Sequence, residues 1–143
     1  MDDLALERAF GDELIGGCRT TVGDELRSIT YFTEDGVEQL YLRSDLEQTA
    51  DLVGFADHER LGFRSQSAYR NTQLGGYGAT IRMFENGYLT RVIRGDHGVW
   101  VTTDDLSMER FEELSSVLAS ILDDAQPATQ AETESGSEPA SDG

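Results

Sequence analysis

Two dipeptides, Asp35-Gly36 and Asn86-Gly87, constrain the fold of this chain more than any other feature in it. Each stands between runs in which apolar and polar residues alternate, and both favour a two-residue type I′ turn, whose central residues need positive φ. The spacing predicts one hairpin over residues 27–34 and 37–43 and a second over 77–85 and 88–94. With the turns centred on those dipeptides, Phe32 faces Gln39, Tyr31 faces Leu40 and Ile29 faces Leu42. In the second hairpin Ile81 faces Val92, Arg82 faces Arg91 and Phe84 faces Leu89. A further strand over 99–103, returning after Asp96-His97, makes a three-stranded meander with Val101 beside Val92, Trp100 beside Ile93 and Thr102 beside Arg91.

Helical periodicity surrounds these strands. Leu6, Phe10, Leu14, Cys18 and Val22 recur every fourth residue, which predicts a helix over about 3–22 with Gly23 as its stop. Cys18 lies inside that apolar stripe and reads as a small core residue. Ser44-Asp45-Leu46-Glu47 is a capping box, so a second helix is expected from there to about Leu61, stopped by Gly62, with a short helix and a Gly-rich loop over 63–76. A last helix is capped by Ser107 and stapled by Leu106 and Phe111. It carries Phe111, Leu114, Leu118, Ile121 and Leu122 on one face and ends near Asp124.

The order α-β-β-α-β-β-β-α predicts an α+β domain over residues 1–125, built on a five-stranded antiparallel sheet of spatial order 2-1-5-4-3. Roadblock, profilin-like and PAS-like domains share that arrangement, and the analogy concerns topology alone. The stretches Tyr31–Arg43 and Glu85–Leu106 resemble a family of small uncharacterised haloarchaeal proteins; the resemblance covers about residues 20–123 and implies no activity and no site residues.

At 143 residues the chain is long enough to bury one core without a disulfide or a structural metal. Its 28 acidic residues stand against 11 basic ones, all of them Arg, for a net charge of −17. Such a surface repels itself in dilute buffer but is screened at ~1 M salt, where the Debye length is ~3 Å, so a cytoplasm holding molar salt is the expected setting. Residues 126–143 contain no aromatic, no aliphatic larger than Ala and no basic residue, and are expected to be a disordered acidic tail. Without the tail's four acids the net charge is still −13. The single cysteine excludes an internal disulfide. Neither a basic leader with an apolar run nor an apolar stretch of ~18 residues is present, so neither export nor membrane insertion is expected. Nucleic acid is an unexpected partner, because no Lys/Arg stripe offers to neutralise phosphates.

Catalytic, metal and cofactor sites are not expected. His58 lacks a chelating partner one helical turn away, and His97 falls at a turn tip, on the order of 20 Å along the strand from Asp104 and Asp105. Those two acids suit the start of a helix dipole. Gly75, Gly76 and Gly78 precede a strand rather than a helix, so they do not make a phosphate loop.

The sheet faces are more informative. One face is expected to hold Ile29, Tyr31, Leu40, Leu42, Ile81, Met83, Val92 and Val101, an aliphatic core surface. The other mixes Phe84, Leu89, Ile93 and Trp100 with Arg82 and Arg91, joined by Phe32 and Tyr41. Two arginines side by side need acidic company, either an acid such as Glu47 or Asp51 on a covering helix, or an anion or partner carboxylate between them. Arg82, Arg91, Trp100, Phe84 and Ile93 are accordingly the candidate interaction residues of a noncatalytic module that binds protein, a second copy in the first instance. The alternatives are a PAS-like sensor holding a small ligand under the segment 44–76, and an enzyme whose site is assembled from dispersed acids.

Transfer from about 2 M KCl to about 0.1 M KCl, which lengthens screening to ~10 Å, is expected to lower the thermal unfolding midpoint markedly, as followed by circular dichroism; an unchanged midpoint contradicts the high-salt setting.

Overall fold

The computed structural model describes residues 8–46, 59, 62–65, 73–75 and 77–125. Helix α1 (Arg8–Val22) passes into a single 3-10 turn (Gly23–Glu25) and then strands β1 (Leu26–Thr33) and β2 (Val37–Leu42). The short helix α2 (Gly62–Ser65) precedes β3 (Thr80–Phe84), β4 (Gly87–Arg94) and β5 (His97–Thr103), and α3 (Met108–Asp124) closes the domain. All neighbouring strands pair antiparallel in the order β2-β1-β5-β4-β3, the expected topology.

Helices α1 and α3 bury their periodic residues on one face of this sheet. Leu14, Cys18 and Val22 from α1 and Leu114, Leu118 and Leu122 from α3 meet Ile29, Tyr31, Val92, Val99 and Val101 from the strands. The expected cap is in place, with Ser107 Oγ accepting from the Arg110 N–H at 3.2 Å. Burial pushes the Cys18 thiol up to about 12, so it stays protonated and serves as packing.

All three hairpins turn earlier than the sequence signals predict. The loops are Glu34-Asp35, Glu85-Asn86 and Gly95-Asp96, with Phe84 opposite Gly87 and Arg94 opposite His97. In the first, Thr33 N–H donates to the Gly36 carbonyl at 2.9 Å and Thr33 Oγ1 receives the Asp35 N–H at 3.1 Å, which turns the chain before Gly36 is reached. In the second, Gly87 is needed for close approach instead: a Cβ there would run into the carbonyl oxygen of Thr103 on β5. The third turn uses the positive φ of Gly95, +63°, and releases His97 into β5.

Each slip changes the register by two, so side chains keep their faces while every cross-strand partner changes. Arg82 lies opposite Leu89 and Arg91 opposite Thr80, not opposite each other. Trp100 lies opposite Arg91 and Thr102 opposite Leu89. A bulge between Ile29 and Thr30 sets the end of β2 differently again. It turns both Leu40 and Tyr41 toward α1, where the Arg19 guanidinium donates to the Tyr41 hydroxyl at 2.9 Å, and it leaves Leu42 opposite Ser28. Tyr41 and Leu42 therefore exchange the faces expected of them.

The middle helix is only partly covered by the described residues. Ser44–Leu46 form a turn closed by Leu46 N–H to the Arg43 carbonyl, Glu59 is helical, and Gly62 lies within α2; residues 60 and 61 lie outside the described residues. The expected span 47–58, with Glu47, Asp51 and His58, lies outside the described residues, as does the tail 126–143.

His97 departs most from expectation. It is 2% exposed, because the tighter turn draws it into β5 beneath α3. Its Nε2 lies 3.0 Å from the Leu122 carbonyl, which only accepts, so Nε2 carries the proton and Nδ1 accepts from the Tyr31 hydroxyl at 2.8 Å. Phe10 stacks on the ring. Burial holds the imidazole below its ordinary value, with the Leu122 hydrogen bond opposing. A folded pKa below the unfolded one means that His97 contributes stability above pH ~6.5 that is lost as pH falls through the folded value. The unfolding midpoint in high salt is expected to fall between about pH 6.5 and pH 5, with a shallower slope in His97→Gln; equal slopes contradict a neutral buried imidazole.

Candidate functional site

The face of the sheet turned away from α1 and α3 carries a second core. Phe32, Leu89, Ile93 and Trp100 are buried there, with Val37, Phe63 and Tyr77 packed against them. Trp100 is fully buried, and its ring lies 5.2 Å from that of Phe32, which in turn lies 5.4 Å from that of Phe63. α2 and Tyr77 thus cover an aromatic surface that β1, β4 and β5 could not hide by themselves.

A buried carboxylate ties this cover down. Glu59, 2% exposed, stands between the two arginines. Its Oε1 receives Arg91 Nη1 at 2.9 Å and its Oε2 receives Arg82 Nε at 2.8 Å. Arg91 is held further by Thr80 Oγ1 at 2.8 Å and by the Tyr77 ring, 5.8 Å from the guanidinium carbon. The Tyr77 hydroxyl in turn donates to the Arg91 carbonyl at 3.1 Å. Glu59 holds the Arg82 guanidinium above its ordinary value. Gly62 is required by the same cluster, since a Cβ there would collide with the Arg91 guanidinium. The carboxylate beside the arginines is therefore Glu59 of this chain, which the sequence pattern did not single out.

Of the five candidate residues, Trp100, Ile93 and Arg91 are buried, whereas Arg82 is about one-third exposed (35%) and Phe84 is 53% exposed. Apart from Leu74 and Met108, the exposed large apolar side chains of the described residues stand on the edge strand β3. Ile81 (40%), Met83 (76%) and Phe84 lie on it, and Met108 shares a groove with Ile81. Ile81 and Met83 do lie on the face expected of them, but α1 and α3 cover β1, β5 and β4 and leave β3 bare. That groove, about 400 Å³, runs between β3 and α3 over Ala79, Ser115, Ser116 and Ala119. A second groove of about 330 Å³ lies at the β3–β4 turn, lined by Arg27, Phe84 and Tyr88. Both grooves open to solvent.

Asp104 is taken up at the same end of the sheet as this second groove, where Arg43 Nη1 reaches it at 2.7 Å and Arg27 stands 3.9 Å away. Among the described residues no group of three or more His, Cys, Asp or Glu could hold a metal ion, and no helix is long and apolar enough to cross a membrane.

A signal for β3 was present in the sequence. Residues 60–84 contain four Arg and no acid, in a chain where 28 of 143 residues are acidic.

The family model described as a domain of unknown function (DUF7522) matches residues 12–123. No curated protein matches the sequence. The structure is similar to that of the gliding protein MglB from Thermus thermophilus, with a TM-score of 0.51 at 12% identity, over 87% of this chain and 99% of that one. It is also similar to a structure described as MglB with tetrameric arrangement, with a TM-score of 0.56 at 12% identity, over 87% and 98% of the two chains. At that identity the likeness shows a common roadblock-type fold and nothing of activity.

Opening the buried Glu59–Arg91 pair is expected to be costly. Glu59→Ala leaves Arg91 charged and buried, and should destabilise by about 3–5 kcal/mol in chemical denaturation; adding Arg91→Met should recover part of that loss, and strictly additive effects contradict a direct pair.

Proposed function

Because the chain belongs to the DUF7522 family and shares the MglB fold, we propose that it is a noncatalytic protein-interaction module that docks its partner along the open edge of β3. The carrying observation is the exposure of Ile81, Met83 and Phe84 on one edge strand. Edge strands present unpaired N–H and C=O groups, and natural sheets commonly protect them with charge, proline or a covering element. Here three large apolar side chains occupy that position, flanked by an apolar groove, which is the composition of a surface that another chain covers. Arg82 and Phe84 retain a contact role in this reading, while Arg91, Ile93 and Trp100 hold the strand and its neighbours in place. A cytoplasm of molar salt is part of the proposal, supported by the net charge of −17 and the absence of Lys.

Self-association, as a homodimer, is a second reading. It is supported by the tetrameric arrangement named for one MglB structure.

A photo-crosslinking residue placed at Met83 should yield a defined adduct in an extract at native salt, whereas one at Glu113 on the exposed side of α3 should not. An adduct of twice the chain mass identifies a second copy, and equal labelling from both positions, or none, contradicts docking at β3.

A further inference from the structure

The two edges of the sheet differ in sign and in polarity. β2 carries Glu38 and no large exposed apolar residue, whereas β3 carries Arg82 among Ile81, Met83 and Phe84. The Phe84–Gly87 pair closes a two-residue loop, so Phe84, Arg82 and Thr80 bond toward β4. The N–H and C=O groups of Ile81 and Met83 therefore point away from the sheet. In sequence, the acid-free stretch 60–84 with its four Arg leads into and includes this edge. Among the described residues, Arg82 and Arg91 share the single carboxylate of Glu59, so the cluster carries one positive charge in excess, on the side where Arg82 meets solvent.

A strand added beside β3 alternates its side chains as β3 does. Those on the helix side fall over the groove along Ile81, Ala79, Met108 and Ala119, where apolar side chains fit best, with Arg94 and Glu112 also in its lining. Those on the other side fall beside Arg82 and are best acidic. A second copy offering its own β3, paired about the central residue, would set Arg82 against Arg82, a like-charge contact. We infer that the occupant of the β3 edge is an extended segment of another protein in which acidic and apolar residues alternate; the inference rests on the docking role of β3 proposed above. The chain's overall negative charge does not oppose this in its expected setting. At about 2 M salt long-range repulsion is screened within a few Å, while a contact pair with Arg82 persists.

The test is fluorescence anisotropy with the full chain in about 2 M KCl and a labelled decapeptide alternating Glu and Val. The expected result is saturable binding. It should weaken about tenfold or more when alternate peptide amides are N-methylated or when the chain carries Met83→Glu, a change at an exposed position that the fold tolerates. Equal binding of a Lys–Val decapeptide overturns the acidic class and leaves docking at β3 intact. No peptide binding, with a dimeric adduct from position 83, makes a second copy the occupant and overturns the inference alone. Binding that appears only after removal of residues 126–143 makes the chain's own tail the occupant and overturns it likewise. Neither peptide binding nor any adduct at 83 overturns both readings.

Discussion

The carboxylate of Glu59, held between Arg82 and Arg91, is the contact on which the rest of the molecule depends. It reaches the sheet from the segment between β2 and β3, and in doing so keeps α2 and Tyr77 over Phe32, Ile93 and Trp100. Desolvating the charges of Glu59 and Arg91 is expensive, and such a pair is tolerable only when its polar atoms are met, as Thr80 Oγ1 and the Tyr77 hydroxyl meet the Arg91 guanidinium. An apolar triad of similar volume could pack as stably. What the charged one adds is fixed geometry, with Glu59 Oε1 on Arg91 Nη1 and Oε2 on Arg82 Nε.

This arrangement also determines where the protein is free to interact. One sheet face is filled by α1 and α3 and the other by the aromatic core and its cover, so neither face is available as a whole. The exposed apolar surface is displaced to the side, onto β3, where neither helix layer reaches Met83. Arg82 connects the two levels: its guanidinium engages the buried carboxylate, while about a third of the side chain faces solvent at the edge. The strand that presents the docking surface is thus anchored through the same residue that gives that surface its charge.

Much of this was legible in the residues. Periodicity located α1 and α3 and their buried positions, and the turn signals gave the strands, their order and, at most positions, the face of each side chain. Face assignments survived because each hairpin slipped by two residues, an even number. Partner assignments did not survive, since Gly87 answers to the Thr103 carbonyl and not to the turn, a long-range demand that no local pattern carries. His97 was misjudged for a related reason: closing the turn at Gly95-Asp96 takes it from a tip into the core. The arginine cluster was visible as two like charges on one face, but its acid was not. Choosing Glu59 among 28 acids needs the path of the intervening chain. The edge itself was announced by the acid-free run 60–84, a signal in charge rather than in hydrophobic period.

Residue-resolved amide hydrogen exchange of the isolated protein in high salt measures the central claim most directly. If β3 is an open edge, the Ile81 and Met83 amides exchange far faster than those of Arg82 and of the β4 residues, at every protein concentration. Protection of Ile81 and Met83 equal to that of β4 in the isolated chain would mean that the edge is already covered, and would contradict the account.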